Sequence, residues 1–162
     1  METGMIKRTG TDTLLEIRLH PERYPRLKDV PVEQAVVALK QIVVTATMYK
    51  GQEIDESKAD FTARNLHSEL MSEEQYGAKF VTLEEIRRAV KKAVLTDTEM
   101  YGINVASLYK VILNYVKGEG HQADSAAHEL VRAKRKAIAQ GNAAETMLQV
   151  YAGKLNNNFK HR

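Results

Sequence analysis

The chain has five histidines, His20, His67, His121, His128 and His161. Imidazole is the commonest metal ligand and the side chain that ordinarily titrates near neutral pH, so metal ligation and proton transfer are the first chemistries to consider. Only His121 and His128 share a short stretch. Seven residues apart on a helix, they are separated by about 10 Å along its axis, too far to share a metal without ligands from elsewhere. The carboxylates Asp55, Glu56 and Asp60, and the pair Glu73 and Glu74, fall at expected helix ends. Capping and the helix macrodipole account for the first group without acid–base catalysis. Gly118 and Gly120 have GxG spacing around Glu119, but a third glycine and a preceding strand are missing, so the step reads as a flexible hinge. No phosphate-binding GxxxxGK[ST] loop, GxSxG elbow or HExxH helix occurs. With no cysteine in the chain, disulfides, thiolate metal sites and thiol nucleophiles are excluded. These absences predict a protein that is not an enzyme and uses neither metal nor cofactor.

Two basic stripes remain. Arg87, Arg88, Lys91 and Lys92 lie opposite an apolar helix face, bordered by Glu84 and Glu85. Arg132, Lys134, Arg135 and Lys136 form a second cluster that follows Lys110 and Lys117 and has Glu129 as its one nearby acid. Arg132, Arg135 and Lys136 share the polar side of their helix. Such clusters suit phosphate contacts, which hold a protein on nucleic acid without reading its sequence. They equally suit a solvated face whose Lys and Arg stems cover apolar edges. Aromatic residues do not interleave with either stripe, so a base-stacking surface for single strands is not indicated. The formal net charge of +3 conceals an uneven distribution: +2 over residues 1–50, −4 over 51–102 and +5 over 103–162.

The elements that must carry these residues are helical. A chain of 162 residues with 43% hydrophobic and 28% charged residues can bury a real core, and is neither collagenous nor wholly disordered. Its three prolines, Pro21, Pro25 and Pro31, all precede the long apolar runs. Residues 11–20 alternate loosely through Leu15, Ile17 and Leu19 and fit either a short strand or the first turns of a helix. A loop follows as far as Pro31. Asp29 is the expected N-cap of a central, mostly buried helix with Ala35, Val36, Leu39, Ile42, Val43 and Ala46 inward, ending near Tyr49. Asp55 caps the next, with Ala59, Ala63, Leu66, Leu70 and Met71 inward and an end near Tyr76. Thr82 and Glu85 form a capping-box pattern ahead of Leu83, Ile86, Val90, Ala93 and Val94. Asn104 caps a helix with Leu108, Val111, Ile112 and Tyr115 inward, stopped at Gly118 and Gly120. A basic helix from about Ala123 is expected to break at Gly141 and Asn142. A last helix then carries Met147, Leu148 and Tyr151. Tyrosine precedes glycine at several of these ends, where glycine supplies a left-handed C′ residue.

The predicted fold is all-α, a compact multi-helix bundle with a C-terminal helical arm or hairpin. Its expected organisation is a poorly defined segment over 1–28, a core over 29–118, a helical segment over 119–155 and a frayed tail over 156–162. No apolar run is long enough to span a bilayer, and residues 1–10 lack the apolar stretch of a secretory signal, so a cytoplasmic location is expected.

The order of features over residues 32–117 resembles helical replication accessory proteins of the helicase-loader type, encoded by phages and mobile elements of gut Bacteroidetes. The resemblance rests on four steps. An apolar helix ends in Gly51, Gln52, Glu53 and Ile54, and an amphipathic helix follows over 55–71. Phe80 to Ile86 leads into a helix ending at Tyr101, Gly102, Ile103 and Asn104, and residues 105–115 complete the set. The resemblance implies a non-enzymatic adaptor whose mobile C-terminal segment, with Met147, Leu148 and Tyr151 on its partner-binding face, grips a replicative helicase or initiator. Two other readings stand beside it: a DNA-binding or regulatory module using the basic C-terminal helix, and a structural homo-oligomer with no nucleic-acid role.

Overall fold

Capping side chains decide where three of the helices begin. In the computed structural model, which describes residues 14–97, 100 and 102–159 and side chains as far as residue 141, six α-helices are found. They are α1 (Leu14–Leu19), α2 (Val32–Tyr49), α3 (Glu56–Ser72), α4 (Leu83–Thr96), α5 (Val105–Tyr115) and α6 (His121–Phe159). Asp55 opens α3 by accepting from the Lys58 amide at 2.8 Å. Thr82 and Glu85 close a reciprocal box at α4, with the Glu85 amide donating to Thr82 Oγ1 at 3.2 Å and the Thr82 amide to Glu85 Oε2 at 2.9 Å. Asn104 and Ser107 do the same for α5. Each device satisfies amides that the first helical turn leaves without partners. The described residues contain no β-strand, only an isolated bridge between Arg26 and Thr82. The fold is all-α, as expected, and residues 14–19 take the helical alternative. No helix among the described residues is long and apolar enough to cross a membrane.

The chain divides into two compact units, Met1–Asp124 and Ser125–Arg162. In the first, α2 packs against α3 and α4, and α5 closes the layer against both. The core draws Leu39, Ile42 and Val43 from α2, Leu66 and Leu70 from α3, and Ile86 and Val90 from α4. Leu108 and Ile112 come from α5, and Leu27 from a short 3₁₀ turn, Leu27–Asp29. All six residues expected to face inward on α2 are buried, as are four of the five on α3, with Met71 half-buried.

Four expected boundaries differ. Pro31, not Asp29, is the N-cap of α2; it makes no side-chain cap, and Asp29 ends the preceding 3₁₀ turn. Helix α3 stops at Ser72, before Tyr76, because the Glu73 carboxylate accepts from the amides of Tyr76 at 2.7 Å and Ala78 at 2.9 Å and folds the chain into a turn. Gly77 completes that turn at φ 72°, where a Cβ would also stand 3.1 Å from the Phe80 ring. Gly118 and Gly120 do not end the helix: the backbone continues as a π turn over Val116–Gly120 and enters α6 directly. The function of Gly120 is close approach, since a Cβ there would lie 3.2 Å from Tyr115 Cε1 and 3.3 Å from its carbonyl oxygen. Gly141 and Asn142 likewise fail to break α6, which runs unbroken for 39 residues. A single helical glycine costs only about 1 kcal/mol, too little to stop a helix flanked by good helix formers. The C-terminal segment is therefore one helix rather than a hairpin, and residues 156–159 of the expected frayed tail belong to it.

Candidate functional site

The most concentrated polar chemistry in the first unit lies inside it. Glu85 is the N3 residue of α4, and its side chain is fully buried. Its Oε1 accepts from Arg18 Nε at 2.8 Å and from the Tyr115 hydroxyl at 2.7 Å, while Oε2 holds the Thr82 amide. Arg18, 5% exposed at its side chain, also reaches Asp124 at 3.1 Å and the Phe80 carbonyl at 3.2 Å. One carboxylate thus joins α1, α4 and α5, and the guanidinium adds the start of α6. Burial and the Glu85 carboxylate together push the Tyr115 hydroxyl well above the usual phenol range. Every oxygen of Glu85 is used within the protein, so the cluster is a structural tie and not an open catalytic site. Glu85 had looked like a border residue of the basic arc. The capping box marked its backbone role, but nothing local pointed to Arg18.

The basic arc of α4 is largely paired. Arg87 and Arg88 each meet Glu84 at 3.0 Å, and Lys92 pairs with Glu119. Lys91 is exposed and, with Arg87, lines one wall of a groove between α4 and α2. The groove holds about 310 Å³ over a floor of Ile42, Ala46 and Val90. The sequence shows this surface only as a few apolar residues left over on a helix that was expected to be mostly buried.

The second cluster belongs to the second unit. Arg132, Lys134, Arg135 and Lys136 all lie on α6 within residues 128–141, every one of which is exposed. At 100° per residue Arg132, Arg135 and Lys136 occupy one arc, while Lys134 falls on the opposite side among Leu130, Val131 and Ile138. Met147, Leu148 and Tyr151 sit on the same helix, but their side chains lie outside the described residues. Lys117, earlier in the chain, stands 4.0 Å from the centre of the Tyr76 ring.

No family model, curated protein or solved structure matches this chain. Function must therefore be argued from side chains alone. Among the described residues no group of three His, Asp or Glu is placed to hold a metal ion. His20 pairs with Glu22 at 2.9 Å in solvent, and His67 is buried on α3. Burial pushes the His67 imidazole below its usual range. Because the unfolded chain then binds the proton more readily, His67 contributes its stability in full above about pH 6.5 and loses it as pH falls through the lowered folded value. We expect the urea midpoint to drop between pH 7.5 and pH 5.5, and to drop less in His67→Leu. Equal drops in the two proteins would remove His67 from the account.

Proposed function

We propose that the chain is a non-enzymatic adaptor of DNA replication that uses α6 to hold a replicative helicase or initiator. The observation that carries this reading is α6 itself. Its residues 128–141 are all exposed, with Arg132, Arg135 and Lys136 on one arc and Leu130, Val131 and Ile138 on another. A surface with a cationic arc and a mainly apolar one, interrupted by Lys134, suits contact with macromolecules, and an amphipathic helix laid in a groove is a common way for one protein to grip another. The replicative partner comes from the helicase-loader resemblance. The fully satisfied Glu85 cluster supports the non-enzymatic part, since it offers no free acid or base. The cationic arc also favours a second reading, phosphate contacts to DNA by the same helix.

One experiment separates the two. Purified protein is run on gel filtration with the hexameric replicative helicase of its host, and its binding to duplex DNA is measured at about 50 mM salt, where phosphate contacts are strong. The adaptor reading expects co-elution with the helicase that is lost in Leu130→Asp/Ile138→Asp. The DNA reading expects binding that falls at least tenfold in Arg132→Glu/Arg135→Glu/Lys136→Glu. Failure to co-elute sinks the first, and no binding to DNA sinks the second.

A further inference from the structure

The outer side of α2 is unusual for a helix at the centre of a core. Ala35, Leu39, Ile42, Val43 and Ala46 are buried, yet Val37 is 56% exposed and Met48 71% exposed. Val37, Gln41, Val44 and Met48 follow one another at i, i+4, i+7 and i+11, a continuous stripe along one face. Two shallow concavities run along it and share Gln41 and Thr45: the groove against α4, of about 310 Å³, and a second of about 390 Å³. Together they extend along α2 from Val37 to Tyr49, which at 1.5 Å per residue is about 18 Å, or roughly three turns of a helix lying alongside.

The charged side chains that line this surface are cations, two of the three already paired with carboxylates beside it. Arg87 and Lys91, one turn apart on α4, line the first concavity, and Lys40 lines the second; among the described residues no carboxylate lines either. Arg87 is held by Glu84 and Lys40 by Glu56 at 2.8 Å, both in ion pairs with at least one exposed partner. Such pairs are worth little net, so an incoming carboxylate can replace the internal one at small cost. An apolar floor between cationic edges is complementary to a helix with an apolar ridge flanked by acids. Nucleic acid is a poorer fit, because a phosphate backbone gains nothing from Ile42, Ala46 and Val90. The chain's own acidic helix, α3, already spends its apolar face on the core through Ala59, Ala63, Leu66 and Leu70.

We propose that the α2–α4 groove docks an acidic amphipathic helix of a partner protein. This surface lies wholly in the first unit and does not rest on the reading of α6. The probe is a fluorescein-labelled 18-residue helical peptide with leucines at i, i+4, i+7 and i+11 and glutamates on both flanks. Its twin carries lysines in place of the glutamates, and a 20-base-pair duplex is the third ligand. Anisotropy against the full chain should give at least tenfold tighter binding of the glutamate peptide than of the lysine peptide. In Arg87→Glu/Lys91→Glu the preference should reverse, a gain of binding that an unfolded variant cannot produce. Val37→Ser/Tyr49→Ser, which trims an exposed apolar side chain from each concavity without adding charge, should weaken both peptides at least tenfold while leaving the circular dichroism spectrum unchanged. Binding of neither peptide, equal binding of both, or a preference unmoved by the charge reversal overturns the proposal. Binding of the duplex alone, lost in the charge-reversed variant, overturns it in favour of phosphate contacts.

Discussion

Glu85→Ala is expected to cost about 3–5 kcal/mol of folding stability, the range found when one member of a buried ion pair is removed. The substitution strands Arg18, whose side chain is 5% exposed and which, among the described residues, would keep Asp124 as its one anionic partner. It leaves the Tyr115 hydroxyl without its acceptor and removes the reciprocal half of the Thr82 cap. Those losses fall on three helices at once, so they cannot be relieved by moving one. Since small domains are stable by only about 5–15 kcal/mol, the loss removes a large share of the total. Urea unfolding followed by circular dichroism at 222 nm reads the effect directly. Glu85→Gln should be milder, because the amide oxygen can still accept from Tyr115 or the Thr82 amide. Removing both charges in Arg18→Leu/Glu85→Leu should recover part of the loss, since no charge is left buried without its partner. A Glu85→Ala midpoint equal to that of the unmodified chain would contradict the buried network.

Leu39→Ala should cost about 3 kcal/mol, within the 2–5 kcal/mol typical of fully buried leucines cut to alanine. Leu39 is wholly buried at the middle of α2, the helix that meets both α3 and α4. The cavity it leaves would be walled by two other helices and could collapse only by shifting them. Leu39→Met, which keeps the volume, should lose less than about 1.5 kcal/mol. Leu130→Ala on α6 supplies the contrast. Leu130 is 47% exposed, and surface substitutions usually stay within about 0.5 kcal/mol. The same urea curves test all three, and a Leu39→Ala loss no larger than that of Leu130→Ala would displace Leu39 from the core.

The features legible in the sequence are those whose physics is local. Asp55, Thr82 and Asn104 start their helices as expected because a cap involves residues only three apart. The buried sets of α2 to α5 follow from helical spacing, which every turn repeats. Two of the expected boundaries fail because glycine does not stop a helix there. At Gly141 the helical penalty is too small, and at Gly120 the missing Cβ serves a contact with Tyr115 that spacing does not show. The early end of α3 depends on a carboxylate folding back on amides three and five residues ahead, a pattern that Glu73 shares with many surface glutamates. The candidate sites were half visible. Both basic stripes exist as helix faces, but Glu84 and Glu119 occupy much of the α4 stripe, and only the fold brings Glu119 to it. The groove is not visible in the sequence because spacing marks the covered side of α2 but not that its other side and α4 enclose a concavity.

The tie between Arg18 and Glu85 spans 67 residues of chain. Helices α2, α3 and α4 follow one another in sequence and pack together, so they can assemble across short loops at small entropic cost. Helix α1 has six residues, well below the length at which an isolated helix persists in water. It must wait for its receptor: Thr82, Glu85 and Tyr115 have to be in place before Arg18 has anything to bind. Docking of α1 is therefore expected late in folding, and in unfolding among the first contacts released, so Leu14–Leu19 should open before the helices they rest on.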